Sequence, residues 1–352
     1  MAYHVEELSQ NNAADWEEMN RRSSDGSVYH ALRWKVVLER SFGAKSHYYM
    51  VYENDRPVAL CPFFEEPVKG LRSLVPPPST DLKNIVIDEP SNQLIVKEIL
   101  LRSIDIARKN RFAYIIMAFS NTDAVNSVRA VGPVRRKKAV PFSINGYLNL
   151  NLEEHNPTYI WEKVFNSKDS QRKYIRRFEQ SGYEFRDSRK ASDLETFYKH
   201  YAMNLNHIGA VPFDKNHFNV IFDTYLEDEL RLTLLEKEDE LAGGIMALKD
   251  SEKGRMYLRY MALNRNLPTT FHPSYALYWD AVNYAFDNGF KEICFGTNTN
   301  DPMDRSFQIK KGFGCRYNNN YGMLLPMNQI YGILYWGSRF FKGRIGNKPA
   351  AN

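Results

Sequence analysis

Cysteine is scarce and unpatterned. Cys61, Cys294 and Cys315 are the only three in 352 residues, and no Cys-x-x-Cys occurs, so neither a disulfide framework nor a thiolate zinc site is supported. Cys61 and Cys294 sit in apolar runs. Cys315 follows a basic stretch whose local motif holds no histidine, so it too reads as packing rather than as a nucleophile. The eight histidines lack His-Glu-x-x-His or any other ligand spacing, and no metal is expected. Long hydrophobic runs are missing as well. No stretch of about 18 apolar residues exists, and the polar start Met1 to Asn12 lacks the basic-then-apolar order of a signal peptide. A cytoplasmic protein is expected. Charge of one sign is not extreme: a net +5 suits an anionic partner but requires none, because solubility alone explains it.

What is present is material for packed cores. Hydrophobic residues make up 43% of the chain, charged residues 25% and aromatic residues 14%, which excludes a disordered chain. The length suits two domains of roughly 150 residues each. Periodicity predicts strands over 3–8, 47–52, 57–64 and 112–119, with helices over 12–22, 28–43 and 91–109. The stretch 121–140 reads as a basic, polar connection whose run 135–138 is a solvated loop or a polyanion contact. A second half repeats the order: strand 144–152, helices 157–165, 169–181, 192–207 and 215–226, then strands 230–236, 241–248 and 255–263. On the last strand, strict alternation puts Tyr257, Arg259 and Met261 on one face and Met256, Leu258, Tyr260 and Ala262 on the other. A buried Arg259 requires an acidic partner, either an internal carboxylate or a substrate anion.

The most informative stretch is 275–317. A helix opens at Pro273 and closes at Gly289, a short buried strand follows over 292–295, and Gly296 breaks it. A polar loop, 298–304, then leads into Phe307, Lys310, Lys311, Gly312, Phe313 and Gly314, read as a basic turn. The sequence Asn288-Gly-Phe290, then Ile293-Cys-Phe-Gly296, then Lys310-Lys-Gly-Phe-Gly314 resembles the Fem-type branch of the GNAT superfamily. So do the basic helix Gln171–Gly182, the glycine pair in Leu241–Ile245, the segment Val28–Trp34 and the proline-rich loop Val75–Asp81. That branch includes transferases that add amino acids from tRNA to peptidoglycan precursors and acyltransferase-like proteins of exopolysaccharide systems. In one respect the chain departs from the family: the aromatic directly before the first lysine is replaced by Ile309, with Phe307 two residues earlier.

The resemblance implies an α/β fold of two tandem GNAT-like domains, each with a mixed, splayed central sheet flanked by helices. Expected boundaries are 1–142 and 143–325, with 326–352 as a C-terminal helix packing back on the first domain. It implies acyl or aminoacyl transfer to an amine, the acceptor belonging to a cell-wall or polysaccharide precursor, and it makes Lys310 the catalytic candidate. Lys311, Asn298, Phe307, Tyr257, Arg259, Tyr275, Arg172, Arg176, Trp34 and Asp81 are the candidate substrate contacts. No tightly bound cofactor is expected; the donor is aminoacyl-tRNA or acyl-CoA. Ordinary acetyl-CoA-dependent members hold the pyrophosphate in a glycine-rich turn after the fourth strand. Asn264–Ser274 stands there with no glycine, which favours an aminoacyl or otherwise atypical donor. Two rival readings stay open: an acyl-CoA-dependent N-acyltransferase of a small metabolite, and a non-catalytic carbohydrate- or nucleic-acid-binding protein that kept the fold. The apolar face and basic end of the C-terminal helix leave open a peripheral contact with the inner face of a membrane.

Overall fold

A computed structural model of the chain describes residues 2–68, 70–78, 80–82, 84–131, 139–165, 170–238, 240–268 and 270–334. Close contacts divide it into two compact units: Met1–Leu32, Ala44–Ile144 and Asn320–Asn352 form unit 1, and Arg33–Gly43 with Asn145–Asn319 form unit 2.

Unit 1 carries strands β1 (Tyr3–Glu7), β2 (Ser46–Glu53), β3 (Arg56–Val68), β4 (Leu71–Val75) and β6 (Tyr114–Phe119) in the order β1-β2-β3-β4-β6. The short β5 (Val86–Ile87) lies on β3, and residues 321–326 of β13 (Arg316–Pro326) pair with β6. Helices α1 (Ala13–Arg22), α3 (Gln93–Lys109) and α4 (Thr122–Ala130) belong to the same unit. The apolar stripe of α3 explains its place: Ile95, Ile99, Ile106 and Ala107 are buried with Phe63, Ile115 and Phe119, and the Asn92 side chain caps its start by accepting from Leu94 N. Helix α4 lies within the stretch read as a connection. Its start is signalled by Asn121, whose side chain accepts from Ala124 N; the charge run 135–138 lies outside the described residues. Of the anticipated C-terminal helix, residue 326 ends a strand, 327–328 form a bend, 329–334 are helical, and 335–352 lie outside the described residues.

Helix α2 (Leu32–Phe42) is shorter than the expected 28–43, and nearly all of it, with residues 33–43, groups with unit 2 rather than with the N-terminal half. Its apolar face decides this. Trp34 is fully buried edge-on to the His217 ring at 6.1 Å, and Phe42 stacks on the same ring at 4.9 Å.

Unit 2 has the strand order β7 (Val140–Asn151, of which residues 145–151 belong to this unit), β12 (Glu292–Asn298), β11 (Arg255–Leu263), β10 (Glu240–Asp250), β9 (Leu230–Lys237) and β8 (Glu184–Asp187). Strand β8 escapes sequence reading because it is a mostly exposed edge strand without apolar alternation. The helices are α5 (Pro157–Tyr159, continuing as a π turn over Ile160–Val164), α6 (Ser170–Gln180), α7 (Ala191–His207), α8 (Lys215–Thr224), α9 (Pro273–Asp287) and α10 (Arg305–Gly312). Pro273 opens α9, and Gly289 follows its end at φ +75°, the left-handed position that a helix stop requires. Its buried Leu277, Ala281, Val282 and Ala285 join Leu148, Leu150, Ile245, Met256 and Phe295 in the core.

Two irregularities open this sheet. Strands β11 and β12 run parallel but pair only over Arg255↔Glu292, Met256↔Ile293 and Tyr257↔Cys294, so their C-terminal ends diverge. Strand β11 also carries a bulge: Met246 pairs with Tyr260 and the next residue, Ala247, with Leu258, leaving Arg259 as the extra residue. The face assignment from strict alternation fails beyond that point. Met261 and Leu263 pack with the core that holds Met256 and Leu258, whereas Tyr260 turns to the other face, its ring 4.8 Å from that of Phe218.

Candidate functional site

The site builds from the end of β12 and the helix that follows it. Gly296 does not break the strand. Held at φ +80°, it forms an irregularity in the pairing with β7, between Cys294↔Asn149 and Thr297↔Tyr147, and the strand continues to Asn298. The basic turn of the sequence reading is likewise a helix, α10. Asp304 caps it, its Oδ1 accepting from Phe307 N at 2.7 Å. Lys310 sits in the last turn of this helix, nearly buried at 6% exposure, and its Nζ donates to Asn298 Oδ1 at 2.7 Å. Asn298 Nδ2 in turn donates to Asp304 Oδ1 at 3.1 Å, so one carboxylate fixes both the helix start and the amide that orients the lysine.

Tyr317 closes the other side. Its hydroxyl donates to Asn298 O at 3.3 Å and accepts from Gly146 N at 2.8 Å, and its ring lies edge-on to Phe307 at 5.8 Å. A cation is therefore held inside the protein by a side-chain amide whose own geometry is fixed from two directions. Such a group is pre-oriented to donate to negative charge developing on an oxygen.

The sequence candidates separate into groups. Lys310, Asn298 and Phe307 come together; Lys311 is exposed. Asp304 and Tyr317 join them and were not singled out as candidates, although Asp at the first position of an Asp-x-x-Phe run followed by helix formers is a readable cap signal. Arg259 and Trp34 form a second group: the Arg259 guanidinium lies 4.6 Å from the Tyr260 ring centroid and 5.8 Å from that of Trp34. Behind them His217, fully buried, pairs Nε2 with the Tyr260 hydroxyl at 2.6 Å and Nδ1 with Ser41 Oγ at 2.9 Å. Burial, and then the Arg259 charge, push its pKa down to about 3 and keep the imidazole neutral.

The remaining candidates have structural employment. Tyr257 is buried beneath the sheet surface beside Arg255. Tyr275 packs on Tyr174 at 5.1 Å in the first turn of α9. Arg172 donates to the carbonyls of Trp161 and Phe165, satisfying the end of α5, while Arg176 lies exposed over the Trp161 ring at 5.5 Å. Asp81, in unit 1, is buried and accepts from the Tyr29 hydroxyl at 3.0 Å. Among the described residues no cluster of His, Cys, Asp or Glu has the makings of a metal site, and no helix is long and apolar enough to cross a membrane.

A splayed β11–β12 pair, an α9 that follows the first of them and an α10 that follows the second define a GNAT-type unit. Comparison with known proteins agrees. Residues 166–302 match the family described as acetyltransferase (GNAT) domain. FemX superposes with a TM-score of 0.71 at 12% identity, covering 94% of this chain and 99% of its own. A tandem GNAT protein from the clavulanic acid biosynthesis pathway gives 0.60 at 9% identity, covering 93% and 99%. L-PGS from Bacillus licheniformis gives 0.57 at 13% identity, covering 92% and 93%. No curated protein sequence matches the chain. The fold is thus the α/β tandem GNAT fold, and the chain resembles the Fem-type branch in overall architecture as it does in its Lys310–Gly314 motif. These likenesses support acyl or aminoacyl transfer in general.

Proposed function

We propose that the protein transfers an aminoacyl or other acyl group from an activated ester or thioester to the amine of a cell-wall or polysaccharide precursor. The acceptor amine attacks the carbonyl carbon and a C–N bond forms. The tetrahedral oxyanion then collapses, breaking the bond to the leaving oxygen or sulfur, which takes up a proton as the amine loses one. The observation that carries this reading is the Lys310 ammonium, buried and fixed by Asn298, where a cationic donor stabilises the oxyanion. The glycine-free segment Asn264–Ser274 favours aminoacyl-tRNA over acetyl-CoA as donor, because side chains crowd a pyrophosphate where backbone N–H groups would otherwise wrap it.

Incubating the full chain with charged tRNA and, separately, with a panel of acyl-CoA thioesters in the presence of amine acceptors tests it. Consumption of one donor is expected, falling about 10²–10³-fold in Lys310→Ala while the circular dichroism spectrum is retained. A Lys310→Ala protein that turns over like the wild type overturns the mechanism. Consumption of acyl-CoA alone replaces the aminoacyl donor by the thioester.

A further inference from the structure

Beyond β13, residues 327–334 of unit 1 bend into a helical segment whose two sides differ. The inner side is tied down. Met327 N donates to Ala113 O at 2.9 Å, the Asn328 side chain caps the segment by accepting from Tyr331 N at 2.9 Å, and Tyr331 O accepts from the Tyr114 hydroxyl at 3.0 Å. The Tyr331 side chain packs against the buried cluster of Ala113, Tyr114 and Leu324. With that side fixed, Ile330, Ile333 and Leu334 are left 66%, 70% and 53% exposed. Their spacing of i, i+3 and i+4 puts all three on one stripe.

The sequence that follows the stripe is one-sided in charge. Residues 327–352 contain Arg339, Lys342, Arg344 and Lys348 and no aspartate or glutamate, in a chain whose net charge is only +5. Interleaved with these cations are Trp336, Phe340, Phe341 and Ile345. Aliphatic, aromatic and cationic residues thus accumulate in one segment without an acid. A partner that offers apolar burial and negative charge at the same place is the headgroup boundary of an anionic bilayer, where aromatic rings settle and each nearby Lys or Arg adds to binding. An RNA would satisfy the cations but leave the aliphatic stripe in water. A second copy of this chain would cover the stripe but set like charges against each other.

We infer that the stripe of Ile330, Ile333 and Leu334, with the cationic residues that follow it in the chain, binds the surface of a bilayer rich in anionic phospholipid. The aliphatic side chains enter the headgroup boundary, and the guanidinium and ammonium groups meet lipid phosphates. Such a contact uses none of the residues around Lys310 and stands whether or not acyl transfer is the reaction.

The test is co-sedimentation of the full chain with vesicles of phosphatidylcholine alone and of phosphatidylcholine with about 30% phosphatidylglycerol. Binding to the anionic vesicles is expected, weaker by about 10-fold or more on neutral vesicles or at about 1 M salt, where the attraction is screened. The double variant Ile333→Asn, Leu334→Asn is expected to weaken it about 10-fold or more through lost apolar burial, and Lys342→Gln, Arg344→Gln by a similar factor through lost charge. Leu94→Asn, at an exposed leucine in the first turn of α3 in the same unit, is expected to bind as the wild type does. Circular dichroism checks that each variant is folded. Bromine-labelled acyl chains are expected to quench tryptophan fluorescence in the wild type, and less so in Trp336→Phe. No binding to anionic vesicles, equal binding to neutral ones, equal weakening by Leu94→Asn, or full binding by both double variants overturns the inference. So does self-association that Ile333→Asn, Leu334→Asn abolishes, or binding of a duplex RNA that anionic vesicles fail to displace, since either gives the surface to another occupant.

Discussion

Lys310 Nζ and Asn298 Oδ1 meet at 2.7 Å, bringing the last turn of a helix onto the final residue of a strand. A buried ammonium is tolerated only when donors and acceptors around it are matched, so the pair is sensitive to loss of either partner. Replacing Lys310 with Met keeps the aliphatic stem and removes the charge. Turnover is expected to fall about 10²–10³-fold, with stability changed by no more than roughly 1–3 kcal/mol. Steady-state kinetics alongside urea denaturation read the two separately, and a Met variant as active as the wild type contradicts the assignment.

Asp304 serves the same site from a distance, as the cap of α10 and as acceptor for Asn298 Nδ2. Asp304→Ala is expected to cost about 1 kcal/mol from the lost cap and to lower turnover by releasing the Asn298 amide. Asp304→Asn retains an acceptor for Phe307 N and is expected to recover most of the stability. Thermal melts of both variants check this; equal losses for Ala and Asn discount the cap.

Gly243 lies where β10 and β11 approach closely. A Cβ there would stand 2.8 Å from Ala262 O and 3.0 Å from Leu277 Cδ1, and the first of these is backbone that does not yield without disturbing the sheet. Gly243→Ala is expected to destabilise by about 1–3 kcal/mol, read as a lower urea midpoint. An unchanged midpoint shows that the sheet relaxes at this point.

His217 gives the stability a pH dependence of known sign. Its folded pKa of about 3, set by burial and by Arg259, lies below the ordinary value of about 6.5, so the unfolded chain binds the extra proton between these limits. The stabilisation is complete above about pH 6.5 and declines as the pH falls toward 3. His217→Gln cannot titrate, and its stability deficit relative to the wild type is therefore expected to be larger at pH 7.5 than at pH 4.5. Urea midpoints at the two values decide it; a constant gap rules out the buried neutral imidazole as the source.

The recurrence of strand, helix pair and hairpin, the Pro273 start, the Gly289 stop and the lysine-glycine motif were all legible in the chain, because each depends on local backbone preference or on spacing along one element. What misled was locally ambiguous. Gly296 reads equally as a strand end or a bulge, since both use a left-handed residue. Lys310-Lys-Gly carries no apolar periodicity over its short span, so a helix held by one aspartate cap looked like a turn. Bulging at Arg259 left no mark in the sequence, yet it exchanges the faces of every residue beyond it on β11. Arg172 and Arg177 lie on one basic helix, and composition gave no way to see that the first ties down the carbonyls of Trp161 and Phe165 and the second that of Thr270.

By itself the sequence determined most of the elements and a two-part design, since hydrophobic period and helix-end chemistry act over a few residues, while Lys310 stood out through the resemblance to the Fem-type branch. The tertiary structure alone decided that helix α2 serves the second unit, that Asn298 holds Lys310, and which carbonyls Arg172 and Arg177 engage. Those outcomes depend on which apolar faces find each other and on which charges are thereby brought together or kept apart, and such long-range packing has no signature in neighbouring residues.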